Sequence, residues 1–246
     1  MILELDCGNS LIKWRVLDLG SALIVAQGAS VSVDELLGEL AGLTVLRVSR
    51  ARVASVRGDD ETMKLCSRLS EKLAVEVMRA APAKELAGVI NGYRDYERLG
   101  MDRWLAIVGA FQLSRGALLV LDLGTAVTAD LVDASGVHLG GYICPGISLL
   151  RQQLHTHTRR ISYNIEQVAA SDYETAPGRS TAEAVERGCL MMLRSFVSVQ
   201  ILQARDYLGD DFAVYVTGGD ADLIENCGRV TRVPDLVFRG LAIACP

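Results

Sequence analysis

Twice in this chain an apolar run closes on an acidic residue, a glycine and small polar residues. Near the start, Met1–Leu5 leads into Asp6-Cys7-Gly8-Asn9-Ser10, followed by Leu11, Ile12 and Lys13. Further on, Ala117–Leu121 leads into Asp122-Leu123-Gly124-Thr125-Ala126, with Thr128 just beyond. A third turn, Thr217-Gly218-Gly219-Asp220, follows the run Phe212–Val216. Glycine in a tight turn lets main-chain N–H groups approach a ligand closely, and successive N–H groups form a concavity suited to an anion such as phosphate. Asn9, Ser10, Thr125 and Thr128 add side-chain donors, and Lys13 adds a point charge. Asp6 and Asp122 would repel a phosphate directly. They make sense where a cation intervenes, each carboxylate positioning a metal ion or its waters. One such turn alone is an ordinary β-hairpin; the recurrence of the polar set, with the third glycine turn, points to a phosphate clamp. No Gly-x-x-x-x-Gly-Lys-[Ser/Thr] occurs, which excludes a P-loop, and no Gly-x-Gly-x-x-Gly follows a strand.

Strands must hold these turns. Residues 2–8, 12–18 and 22–30 read as three successive strands, with 47–56 and 75–80 as two more. Helices are expected over 33–43, over 59–74, where Asp59, Asp60 and Glu61 suit a helix start, and over 101–115. The stretch 81–100 reads as a loop with a turn at Asn91-Gly92. From Gly116 the plan restarts. Three strands run to residue 146, a helix follows over 147–160, then a loop-like stretch over 162–180. A long helix comes next, capped by Ser180 or Thr181 with Glu183 close behind. Asp6 and Asp122 stand 116 residues apart (122 − 6) in matching strand–turn–strand units, which reads as an internal duplication. Two similar α/β lobes are expected, residues 1–115 and 116–246, packed against a cleft without a Pro- or Ser-rich linker.

The 246 residues carry 25 Lys and Arg against 30 Asp and Glu, a net charge of −5, which argues against non-specific nucleic-acid binding. Half the residues are hydrophobic, enough for a sizeable core. Arg115, Asp122 and Asp130 interrupt the most apolar region, so no membrane span is expected, and Glu4, Asp6 and Lys13 break the opening too early for a secretion signal. A cytoplasmic protein with neither nucleic-acid nor membrane partners is the expectation. The six cysteines, at 7, 66, 144, 189, 227 and 245, lack Cys-x-x-Cys and zinc-ligand spacing and read as free thiols, with Cys7 and Cys144 the two inside glycine-rich turns. His155 and His157, two apart on a helix, point to different faces, which argues against a metal pair. Arg159-Arg160 reads as a surface pair, Trp14 and Trp104 as core or interface, and His138 has no partner in sequence.

The three turns resemble the first phosphate, second phosphate and adenosine motifs of the acetate kinase–hexokinase–actin superfamily. Within it, Leu99-Gly100-x-Asp102-Arg103, Gly140-Gly141-x-x-x-Pro145-Gly146 and Thr181-x-Glu183-Ala184-Val185-x-x-Gly188 are similar to signatures of the type III pantothenate kinases. The resemblance spans essentially the whole chain and departs at Tyr96, where many members carry proline. It implies an α/β fold of duplicated actin-like (ribonuclease H-like) lobes, a central mixed sheet in each and an ATP cleft between them. It implies ATP-dependent phosphorylation of pantothenate to 4'-phosphopantothenate, the first step of coenzyme A biosynthesis. The cofactors implied are ATP with Mg²⁺ and a monovalent cation, K⁺ or NH₄⁺, and the assembly implied is a homodimer.

By the same resemblance, Asp6, Cys7, Gly8, Asn9, Ser10, Leu11, Ile12, Lys13 and Thr125 bind ATP, and Asp122 holds the monovalent cation. Asp102 is the base. Tyr93, Gly100, Met101, Asp102 and Arg103 contact pantothenate, joined by Thr181 from a neighbouring subunit. The residue types agree with these roles. An alcohol is a poor nucleophile and needs a base on its proton. A guanidinium fork suits a carboxylate or a phosphate, and a tyrosine offers a ring wall with a hydroxyl at its edge. Spacing alone leaves open whether Asp122 takes K⁺ or Mg²⁺, and an Asp before an Arg at a helix start is by itself more often a favourable terminal charge or an ion-pair partner. The alternatives are another small-molecule kinase or phosphatase of the superfamily, and a non-catalytic nucleotide-binding regulator.

Overall fold

A computed structural model of the protein describes residues 1–21, 23–42, 47–158, 161, 176–224 and 230–246. Arg159, Arg160, Cys227 and most of the stretch read as loop-like over 162–180 lie outside the described residues. The chain forms two compact units. The first takes Met1–Arg115, Gly136–His138 and Asp235–Pro246, and the second takes Gly116–Ser135 and Leu139–Pro234.

In chain order the elements are β1 (Ile2–Cys7), β2 (Ile12–Leu17), β3 (Ile24–Ser30), α1 (Val33–Gly42), β4 (Arg50–Ser55), α2 (Asp59–Leu73), β5 (Glu76–Arg79), β6 (Glu85–Leu86), β7 (Val89–Ile90) and α3 (Met101–Ser114). There follow β8 (Leu118–Leu123), β9 (Ala126–Val132), β10 (His138–Pro145), α4 (Ile147–His157), α5 (Thr181–Leu208), β11 (Ala213–Thr217), β12 (Thr231–Arg232) and α6 (Leu236–Ala244).

The sheet of the first unit has the order β3-β2-β1-β4-β5. β1 and β2 form an antiparallel hairpin, and β4 lies parallel to both β1 and β5. Strand alternation puts Leu3, Leu5 and Cys7 on one face of β1, where Leu36 of α1 and Leu65 and Leu69 of α2 complete a core. Glu4 and Asp6 take the other face. Glu4 is fully buried and accepts hydrogen bonds from Arg15 Nε at 2.6 Å and Arg52 Nη1 at 2.8 Å, from its partner positions on β2 and β4. A charge taken out of water requires such partners. Arg15 also donates to Asp235 at 3.2 Å and lies 4.6 Å from the Phe238 ring centroid, so this polar cluster ties α6 to the sheet. α3 is buried on nearly every side, as expected of a core helix. It packs closely on α6, where a Cβ at Gly240 would overlap the Leu105 carbonyl.

The stretch 81–100 is more ordered than the loop expected of it. β6 and β7 pair antiparallel around Ala87 and Gly88, whose φ angles are 52° and 87°, and Tyr96–Arg98 form a 3₁₀ turn. Alanine in a left-handed position is not the Asn-Gly signal that marks a two-residue hairpin, so the turn has no clear signature in sequence.

The second unit repeats the plan, with sheet order β10-β9-β8-β11-β12. β8 and β9 are antiparallel, and β11 lies parallel to β8 and β12. Leu119, Leu121 and Leu123 of β8 share a core with Val185, Leu190, Leu193 and Val197 of α5. Ser180 is the cap of α5. Its hydroxyl accepts from Glu183 N at 3.2 Å, while Glu183 Oε2 accepts from Arg179 N at 2.7 Å. Five strands in the same positional order, each sheet led by a hairpin ending in an Asp-x-Gly turn, carry the duplication into the fold. No helix among the described residues is long and apolar enough to cross a membrane.

Candidate active site

The first glycine turn is set by its hairpin register. Cys7 pairs with Ile12 and Asp6 with Lys13, leaving Gly8, Asn9, Ser10 and Leu11 as the turn. Cross-strand partners share a face, so the half-buried Asp6 carboxylate and the exposed Lys13 ammonium project together, beside the exposed Asn9 and Ser10. Leu11 is exposed at the turn. Cys7 and Ile12 point the other way and are fully buried, so these two offer a ligand main chain only. Burial pushes the Cys7 thiol up to about 12, and the Asp6 charge adds to the rise. That rules out a reactive thiolate at Cys7 near neutral pH; burial raises Cys144 as well.

Sequence reading overlooked Arg57. From the β4–α2 connection its Nε donates to the Gly8 carbonyl at 2.9 Å, its Nη1 donates to Glu61 at 2.8 Å, and the adjacent Val56 N donates to Cys7 O at 3.2 Å. Arg57 therefore braces the turn from a connection 49 residues away, a distance over which no local motif signals contact.

A second cluster of the first unit gathers around the start of α3. Gly100 is the N-cap, Met101 turns into the core, and half-buried Asp102 sits in the first turn, where the helix end favours its negative charge. Asp102 Oδ1 accepts from Arg103 N at 2.7 Å. Arg103 is buried, its Nη1 donates to Tyr93 Oη at 2.5 Å, and its guanidinium carbon lies 5.4 Å from the Tyr93 ring centroid. Tyr93 is fixed in turn by Asn91, whose Oδ1 accepts from Tyr93 N at 3.0 Å while its Nδ2 donates to Ala83 O and Tyr96 O. The structure thus brings together Tyr93, Gly100, Asp102 and Arg103. A forked cation held rigid beside a carboxylate can grip an anionic substrate while the carboxylate takes a proton from it.

In the second unit Asp122 lies opposite Thr128, and the turn at Gly124 and Thr125 follows. Two other segments close on it. Gly146, which caps α4, donates its N–H to Thr125 O at 2.9 Å, and Asp220 N donates to Leu123 O at 2.9 Å. Side chains at either approach would collide: a Cβ at Gly146 or at Gly218 (φ +95°) would overlap the main chain of Gly124 or Leu123. Pro145-Gly146 and Thr217-Gly218-Gly219-Asp220 are therefore packed around the turn that carries Thr125. Burial raises the Asp220 carboxyl above the usual carboxylate range, with Arg151 opposing in part. Thr181, exposed, opens α5 in the same unit.

A family model for type III pantothenate kinase matches residues 2–203. A type III pantothenate kinase of Pseudomonas fluorescens (strain SBW25) is 57% identical over 247 residues, covering 100% of this chain and 99% of its own length. Among solved structures, a Baf family protein from Campylobacter jejuni aligns with a TM-score of 0.62 at 22% identity, over 98% of this chain and 96% of its own. A ROK family glucokinase from Streptomyces griseus, determined with glucose and AMPPNP, aligns with a TM-score of 0.55 at 11% identity, over 99% and 97%. At such identities the two structures speak to the fold alone, the duplicated actin-like α/β fold.

Proposed function

The chain belongs to the type III pantothenate kinase family, and from that premise we infer that it transfers the γ-phosphoryl group of ATP to the primary hydroxyl of pantothenate, giving 4'-phosphopantothenate and ADP in the first step of coenzyme A synthesis. The observation that carries the reading is full-length similarity at 57% identity to a named relative, with Asp102 and Arg103 at the buried start of α3. Asp102 accepts the hydroxyl proton as the pantothenate oxygen bonds to the γ-phosphorus and the bridging oxygen leaves with ADP. Arg103, oriented by Tyr93, grips the pantothenate carboxylate. Residues 8–11 and Lys13 hold nucleotide phosphates, Thr125 adds a further contact, and Cys7 and Ile12 contribute main chain.

Mg²⁺ bound with the nucleotide offsets phosphate charge. The carboxylate that would hold it is Asp6, and the donor set suits the ion, which keeps several waters and needs no protein cage. Among the described residues no group of three or more His, Cys, Asp or Glu side chains forms such a cage. Asp122 is assigned the monovalent cation, K⁺ or NH₄⁺. A homodimer completes the site through Thr181; the support is the exposed apolar face of α5, with Met191, Met192, Val199 and Leu202.

ATP turnover measured with and without pantothenate, in K⁺ and in Na⁺, tests the reading. Turnover that requires pantothenate and is faster in K⁺ is expected, with the K⁺ advantage lost in Asp122→Asn. Turnover indifferent to pantothenate would refute the reading.

A further inference from the structure

His138 opens β10 and belongs to the first unit, with its imidazole only 1% exposed. Its ring stacks on Tyr93, centroids 5.9 Å apart and planes 14° from parallel. The main chain around the pair is fastened as well. Ile90 N donates to Gly136 O at 2.9 Å, Ile90 bridges to Val137, and Gly92 lacks the Cβ that would overlap the His138 carbonyl oxygen. Tyr93 in turn accepts from Arg103 Nη1. Three residues from three separate segments therefore form one packed stack, with the guanidinium at its end.

We propose that His138 is a positioning residue for the acceptor site: its imidazole backs the Tyr93 ring, and the ring so held fixes the Arg103 fork that receives the substrate carboxylate. The proposal rests on the reading that Arg103 binds pantothenate. It assigns His138 to acceptor binding, because the contacts run from the imidazole to the Tyr93 ring and from the Tyr93 hydroxyl to the Arg103 guanidinium, whereas Asp102 is held by the Arg103 main-chain N. The contact that carries this role is ring on ring.

Steady-state kinetics on His138→Leu, His138→Phe and Tyr93→Leu test this, with melting temperatures recorded alongside. An aromatic pair contributes enough that its loss should raise the KM for pantothenate about threefold to tenfold in His138→Leu. The turnover number and the KM for ATP should stay within about twofold. His138→Phe should restore the wild-type KM, and the His138→Leu/Tyr93→Leu double variant should be no worse than Tyr93→Leu alone. Should His138→Leu fail to fold, His138→Gln takes its place, with the same raised KM expected. An unchanged KM for pantothenate, a parallel loss in turnover and in ATP binding, or no recovery in His138→Phe overturns the proposal. Wild-type turnover that ignores pantothenate would instead remove the acceptor reading itself, a separate failure visible before any variant is assayed.

Discussion

Gly100→Ala moves the proposed base without removing it. Gly100 sits at φ −52° and ψ 134°, a conformation open to alanine, so the backbone need not change. The new Cβ would stand 2.8 Å from Asp102 Oδ1, whereas ordinary contact begins near 3.4 Å. The oxygen must therefore retreat by at least about 0.6 Å (3.4 − 2.8), loosening its 2.7 Å bond from Arg103 N. Alanine in place of glycine at a helix N-cap costs about 1 kcal/mol or less, which for a chain of this size lowers the melting temperature by about 2–4 °C. The effect on chemistry is larger, since a misplacement of about 1 Å can cost about a hundredfold in rate. An about tenfold fall in turnover number is expected, with the KM for ATP unchanged, read in an assay coupled to ADP release. A folded variant turning over within about twofold of wild type would refute the placement of Asp102 as the base.

Glu4→Gln should lower unfolding stability by about 3 kcal/mol, measured by denaturant titration, because Arg15 and Arg52 would remain buried beside a neutral partner. Arg57→Ala removes the charge-assisted bond to the Gly8 carbonyl and should raise the KM for ATP about tenfold, leaving the KM for pantothenate alone; an equal rise in both would argue for general loosening. The buried Cys7 thiol, pushed up from its ordinary value of 9.0 to about 12, stays neutral in the fold while the unfolded chain ionises. Its contribution to stability is full below pH 9.0 and is lost as pH rises toward 12, so wild type should lose stability relative to Cys7→Val over that window; a difference flat in pH would contradict this.

The parts of the candidate site that sequence made legible are mostly those whose signals are local. Asp6 to Lys13 and Asp122 to Thr128 announce themselves because a hairpin packs its glycine, its polar residues and both strands into a dozen neighbouring positions. Asp102 stands out only through the resemblance of Leu99-Gly100-x-Asp102-Arg103 to a family signature, since an Asp at a helix start is by itself an ordinary terminal charge. The braces are hidden for the opposite reason. Arg57 reaches Gly8, and His138 reaches Tyr93, across chain separations over which spacing carries no information. The packing of α6 against α3 and the β1 sheet is likewise a long-range fact, built from the Arg15–Asp235 bond and the close approach at Gly240. Glycines at 146 and 218 look like loop punctuation in sequence, and only the folded chain reveals that main chain occupies the space a side chain would take.

Product identity and the proposed role of Asp102 are tested most directly together. Wild type and Asp102→Asn are incubated with ATP, Mg²⁺, K⁺ and pantothenate, the product is followed by mass spectrometry, and pantothenate binding is measured by calorimetry on the same samples. Wild type should yield 4'-phosphopantothenate. Asp102→Asn should bind pantothenate within about threefold of wild type while its turnover falls by at least about a hundredfold. Full turnover in Asp102→Asn, or a wild type that forms no phosphorylated pantothenate, would contradict it.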